Sequence, residues 1–171
     1  MTALRDPGGV GDPGGVGDPD GVGALVGRAL PGGRVQVEPH EDWLMRDVAL
    51  AEPAWAPSLH PLSVFAGLQR SIGITLADFF ALCGSSSEAG PMLGGTRIEV
   101  LAPMAPGRAY DVRATITGAE RKETRSVGPV DIVELSMEAL EPGGGDGDGD
   151  GDGGAVVARV VNSYVFRRAA R

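Results

Sequence analysis

Residues 61–72 constrain this chain more than any other segment. Leu62, Phe65, Leu68 and Ile72 recur at helical spacing, and Val64, Ala66 and Gly67 leave almost no polar surface before Gln69 and Arg70. A helix that is apolar nearly all round has to be buried, and a chain of 171 residues has few ways to bury one. The sequence downstream supplies a cover. Past Gly84 the hydrophobic period changes to that of strands: Tyr110, Val112, Ala114 and Ile116 alternate with Asp111, Arg113, Thr115 and Thr117, and Val133, Leu135, Met137 and Ala139 alternate with Glu134, Ser136 and Glu138. Each of these strands has one wet face and one dry face. Residues 97–101 predict a shorter strand before them, and residues 155–166 a final, more uniformly apolar one.

Upstream, Arg34, Val35, Gln36, Val37 and Glu38 alternate for one short strand before Pro39. Residues 41–51 then carry Trp43, Leu44, Val48 and Ala51 at helical spacing, which predicts a first helix. Pro53 and Pro57 bound an irregular stretch that ends at His60 and Pro61, where a proline is well placed to open the apolar helix. After Gly73, Thr75 precedes Asp78 by three positions in a capping-box arrangement, and Leu76, Phe79, Phe80 and Cys83 form the stripe of a third helix ending at Gly84. The predicted order is β, α, α, α, β, β, β, β. Connections this short between strands favour antiparallel pairing, so the fold class is α+β. The segment after Pro61 is the one apolar enough to lie in the curve of such a sheet, which gives the hot-dog plan: a curved antiparallel sheet around a central helix.

Two segments cannot contribute to that core. Residues 6–23 run through a six-residue Asp/Pro/Gly/Val period, so residues 1–23 are expected to form a disordered tail, leaving 24–171 as a single domain. Residues 143–154 alternate Gly with Asp146, Asp148, Asp150 and Asp152, and a flexible loop is expected there. These two segments hold most of the formal charge of −8, so the acidity describes solvated chain rather than a binding face, and no basic surface for nucleic acid is visible. The Gly/Asp tract offers oxygen ligands without the spacing or anchoring Glu of a calcium loop, and no metal or cofactor site is expected. The lone Cys83 rules out an internal disulfide, and no apolar run approaches the roughly 20 residues needed to cross a bilayer. The expectation is a cytoplasmic protein.

The order of elements and several local stretches resemble the MaoC-like acyl dehydratases and hydratases. The likeness is carried by residues 91–107, in which a strand is followed by Ala102, Pro103 and a Pro106-Gly107 turn, by the strands from Tyr110 to Glu120 and from Val157 to Phe166, and by the opening residues Leu25 to Leu30, which look like the start of the family's N-terminal dehydratase-like domain. The resemblance implies a hot-dog fold that handles acyl groups held as thioesters on coenzyme A or an acyl carrier protein. It also implies pairing with a second hot-dog subunit, as a homodimer or a heterodimer. Active members carry an Asp-x-Asn-Pro-x-His-like segment before the central helix. Here the corresponding residues run from Glu52 to His60, with no Asp at that spacing and no Asn, which implies a subunit with weak or no catalysis of its own.

Hydration of a 2-enoyl thioester, or its reversal, needs a general acid and base and a donor for the enolate oxygen. His60 is the candidate for the first service, with Glu52 as the group orienting it; the alternative is that His60 simply caps the helix. The backbone N–H groups of Leu62 and Ser63, at the positive end of the helix, are candidates for the second. Phe65, Leu68, Phe79 and Phe80 are candidates for an acyl pocket, and equally for core. Cys83, on a buried stripe, is expected to be a small core hydrophobe. An acyl-thioester hydrolase of the same fold would want a carboxylate on the central helix, and a non-enzymatic acyl-binding or scaffold protein would want neither.

Overall fold

The computed structural model describes residues 21–52, 58–143 and 154–168. The expected tail over residues 1–20 and the Gly/Asp loop over residues 144–153 lie outside these. Residues 21–23, grouped with the tail by composition, are described: a 3-10 turn covers Val22–Leu25, and both of those end residues pack against the core. The elements that follow are β1 (Ala29–Gln36), α1 (Pro39–Val48), α2 (Pro61–Arg70), α3 (Leu76–Leu82), a second 3-10 turn (Ser87–Ala89), β2 (Met92–Val100), β3 (Ala109–Thr124), β4 (Gly128–Leu140) and β5 (Val156–Arg167).

The five strands form one sheet in the order β1-β3-β4-β5-β2, with every neighbouring pair antiparallel. Two hairpin-type connections put β3, β4 and β5 side by side, while β1 and β2, separated in sequence by the three helices, take the two edges. The alternation read from the sequence sets which side is dry. Ala114 pairs with Met137 and Ile116 with Leu135, and all four side chains are essentially inaccessible. A bulge between Ile116 and Gly118 then shifts β3 by one residue, so Ala119 lies opposite Val133 and Arg121 opposite Asp131.

α2 lies against the dry side and touches β1, β2, β4 and β5. Val64, Leu68 and Ile72 are buried in the main cluster with Val133, Leu135 and Val160, so the apolar segment is enclosed by the sheet as its composition requires. The approach is close: a Cβ on Gly67 would stand 2.8 Å from Val35 Cγ2 and 3.0 Å from Val37 Cγ2. Gly73, in the left-handed region at φ 83°, packs so tightly against β1 that a Cβ would come within 2.3 Å of the Gly32 carbonyl oxygen.

α3 carries the capping box of Thr75 and Asp78, each side chain bonded to the other's backbone N–H. At its far end Arg168 donates to the carbonyls of Cys83 and Gly84 while also binding Asp131, tying the helix C-terminus to the sheet. Asp131 takes a second guanidinium, from Arg121 of β3, at 2.6 and 2.9 Å.

α1 forms where the helical spacing predicts it. Its apolar stripe faces outward, with Trp43 64% and Val48 80% exposed, and the residue it buries is Asp42. Its first turn is set by Glu38 and Glu41 in a capping box, and Asp42, Met45 and Arg46 form the face that meets the rest of the chain.

Candidate functional site at the start of the central helix

Asp42 organises the entry to α2. One carboxylate oxygen, Oδ1, accepts from the backbone N–H of His60 at 2.7 Å and from the Ser63 hydroxyl at 2.6 Å. The other, Oδ2, accepts from Arg46 Nε at 2.7 Å, and Arg46 Nη2 reaches the Ser58 carbonyl at 2.7 Å. Asp42 is only 4% exposed. Burial by itself would raise its pKa, but the bonds from Ser63, from the His60 peptide and from Arg46 outweigh burial and hold it below the ordinary carboxylate value. It is therefore an ionised, fully engaged group.

His60 is the N-cap of α2. Its Nδ1 accepts from the Leu62 N–H at 3.3 Å, and its carbonyl accepts from the N–H groups of Ser63 at 2.8 Å and Val64 at 3.1 Å. This geometry bears on two sequence-based expectations. The N–H groups of Leu62 and Ser63 are not vacant donors, because the turn that opens the helix consumes both. Glu52 is exposed, and the carboxylate that meets His60 is Asp42, from the first turn of α1 18 residues upstream, which binds its backbone N–H rather than its ring. His60 itself is half-buried at the surface of this network.

The four candidate pocket residues divide. Leu68 and Phe79 are wholly buried core. Phe80 is half-buried and packs edge-on against Tyr164 and Phe166. Phe65 is also half-buried and lines an open surface groove of about 780 Å³ between α2 and the start of α3, with Ala66, Gln69, Ile74 and Leu76 also along it. A separate cavity of 330 Å³ lies between α1 and α2, bounded by Val37, Leu44, Met45 and Gly67. Cys83 is buried, which pushes its thiol pKa up to about 11 and leaves it protonated and unreactive at neutral pH. Among the described residues no group of His, Cys, Asp and Glu is arranged to hold a metal ion, and no helix is long and apolar enough to cross a membrane.

One polar cluster had no signal in the sequence. Asn162 and Tyr164 on β5 point to the dry side of the sheet, and their side chains converge with that of Gln69 from α2. Their positions in an alternating strand were legible, but nothing in the sequence paired them with a residue 93 positions away.

No protein-family model matches this sequence, and no curated protein matches it. Solved structures do. A structure titled monoamine oxidase regulatory protein from Archaeoglobus fulgius superposes with a TM-score of 0.56 at 12% identity, covering 85% of this chain and 92% of that one. A chain of the ChsH1-ChsH2 complex from Mycobacterium tuberculosis superposes with a TM-score of 0.57 at 11% identity, covering 88% and 89%. A MaoC-like dehydratase from Rhodospirillum rubrum is 19% identical with a TM-score of 0.43, too loose a superposition to bear on the fold. The sheet order, the enclosed central helix and the two better superpositions together make this chain a hot-dog fold of the α+β class.

Proposed function

We propose that this chain is a MaoC-like acyl-thioester-binding protein, related to the (R)-specific enoyl hydratases and 3-hydroxyacyl dehydratases, and that it serves as a weakly catalytic or non-catalytic subunit beside a second hot-dog chain. One observation carries the reading: the carboxylate and the backbone donors at the start of α2 are already engaged with one another. Asp42 already takes three donors, His60 Nδ1 takes one, and the two terminal N–H groups have acceptors. A hydratase needs a base free to move a proton and donors free to hold an enolate oxygen. An acyl-binding subunit needs only the apolar groove beside the helix, and Phe65 lines it.

The edge strand supports pairing. β2 has a neighbour on one side alone, and exposed apolar side chains stand at its two ends, Met92 and Leu93 at one and Val100 with the following Leu101 at the other. An unpaired strand edge flanked in this way is a surface that a second chain can cover. The Mycobacterium tuberculosis chain with this fold was solved in the ChsH1-ChsH2 complex.

Hydrolysis of the thioester is the weaker reading, because α2 contains no carboxylate from Pro61 to Arg70 to serve as base or nucleophile. The test is incubation with crotonyl-CoA, first with this chain alone and then with candidate partner subunits. Hydration that appears only with a partner supports the proposal. Rapid hydration by the chain alone contradicts it, and release of free coenzyme A moves the assignment to a hydrolase.

A further inference from the structure

Among the described residues the sheet has two free edges, and they differ. β1 carries Pro31, which has no N–H to offer, and a bulge between Leu30 and Gly33, and each blunts an edge against further pairing. β2 has neither over residues 95–100, where its register with β5 runs without a shift, and residues 92–97 are all exposed. Arg97 and Glu99 stand two positions apart on the solvent side of this strand, opposite Val161 and Arg159 of β5. Glu99 reaches Arg159 at 3.4 Å with 42% of its side chain still exposed. Arg97 is exposed and has no hydrogen bond or ion pair among the described residues.

Two copies joined antiparallel at this edge are related by a two-fold axis normal to the sheet, which keeps both dry faces on one side and passes through one residue of β2 and its twin. Charge selects that residue. An axis at Arg97 or at Glu99 brings like charges face to face, and an axis at Thr96 or Val100 leaves both charges opposite uncharged residues. An axis at Ile98 sets Arg97 of each copy opposite Glu99 of the other, twice by symmetry, and sets Thr96 opposite the exposed Val100.

We propose that β2 pairs with β2 of a second copy of this chain in the register centred on Ile98, fixed by two reciprocal Arg97–Glu99 ion pairs. The guanidinium of Arg97 thereby gains the partner it lacks within its own chain. The inference rests on the reading of β2 as a pairing edge and names the chain that covers it; it does not need the acyl-thioester assignment.

The test is sedimentation equilibrium of the full chain, of its Arg97→Glu and Glu99→Arg variants, and of an equimolar mixture of the two variants. The wild-type chain is a dimer at micromolar concentration. Each variant alone turns two attractive contacts into two repulsive ones, and its dimer dissociation constant rises at least roughly tenfold. The mixture dimerises like the wild-type chain, because opposite charges again meet at both contacts. Raising salt from about 50 to about 500 mM weakens the wild-type dimer several-fold. That salt dependence and Arg97→Glu, at an exposed side chain with no partner in its own chain, decide the matter even where Glu99→Arg, which loses its bond to Arg159, fails to fold. A monomeric wild-type chain overturns self-pairing and leaves pairing with a different hot-dog chain standing. A dimer indifferent to Arg97→Glu and to salt overturns the inference together with the reading of β2 as the pairing edge. A mixture that stays monomeric while both variants are folded overturns the register.

Discussion

The Ser63 hydroxyl donates to Asp42 Oδ1 across 2.6 Å, joining the first turn of the central helix to a carboxylate from α1. That contact is where an amphipathic-looking helix and a buried apolar one meet, and it explains why α1 turns its charged face inward. Asp42 and Arg46 stand four residues apart on one face, and the pair satisfies the peptide N–H of His60 and the carbonyl of Ser58 as well as each other.

Removing the charge from this contact leaves Arg46 beside a neutral group in a site where its side chain is 16% exposed. Asp42→Asn is expected to destabilise the fold by about 2–4 kcal/mol, read as a lower urea midpoint at unchanged slope. Ser63→Ala removes one donor while the carboxylate keeps two others, and is expected to cost about 1 kcal/mol.

Acid should act through the same kind of group. Burial would raise Asp131 and Glu138, but Arg121 and Arg168 on the first, and Arg113 and Arg159 on the second, hold both below the ordinary carboxylate range, as the bonds to Asp42 do for it. A carboxyl whose pKa is lower folded than unfolded contributes stability above the unfolded value of about 4, and loses it as pH falls through the folded value. Melting temperature is therefore expected to be level from neutral pH down to about 5 and to fall below about 4. The Asp131→Asn variant, less stable at pH 7, should show a shallower fall.

The helix seat is tested by small substitutions. Gly67→Val would drive a branched side chain into Val35 and Val37, and Gly73→Ala would combine positive φ with a clash against the Gly32 backbone. Each is expected to cost at least about 2 kcal/mol, whereas Gly23→Ala, with open space around it, should be near neutral in thermal unfolding.

His60 has a capping role in this structure, so His60→Asn, which keeps a side-chain acceptor at the N-cap, is expected to retain stability within about 0.5 kcal/mol, and His60→Ala to lose about 0.5–1 kcal/mol. Any hydration seen with a partner subunit should be unchanged by His60→Asn. A large drop in that assay would return His60 to the catalytic role.

The sequence made the fold legible wherever burial had a simple period. Tyr110 to Ile116 and Val133 to Ala139 announced both their strands and the dry face, and the all-apolar run after Pro61 required enclosure. Boundaries suffered where glycine and proline interrupt a strand: β1 begins at Ala29, ahead of Pro31 and a bulge, and β2 begins at Met92, before two glycines. The first helix was legible but its buried face was not: Trp43, Leu44 and Val48 have helical period yet face outward, because the partner of that helix is an N-cap network that favours Asp42 and Arg46. The site was the least legible part. Asp42 is 18 positions from His60, and Gln69 is 93 from Asn162. A polar residue that is recruited through tertiary contact leaves no local pattern to read.

The account stands or falls on a chain that holds an acyl thioester without transforming it. Titration of the isolated protein with crotonyl-CoA, followed by mass analysis of the recovered ligand, measures both halves at once. Saturable heat with crotonyl-CoA recovered intact is the predicted result. Absence of binding, rapid conversion of the ligand to 3-hydroxybutyryl-CoA, or release of free coenzyme A would contradict it.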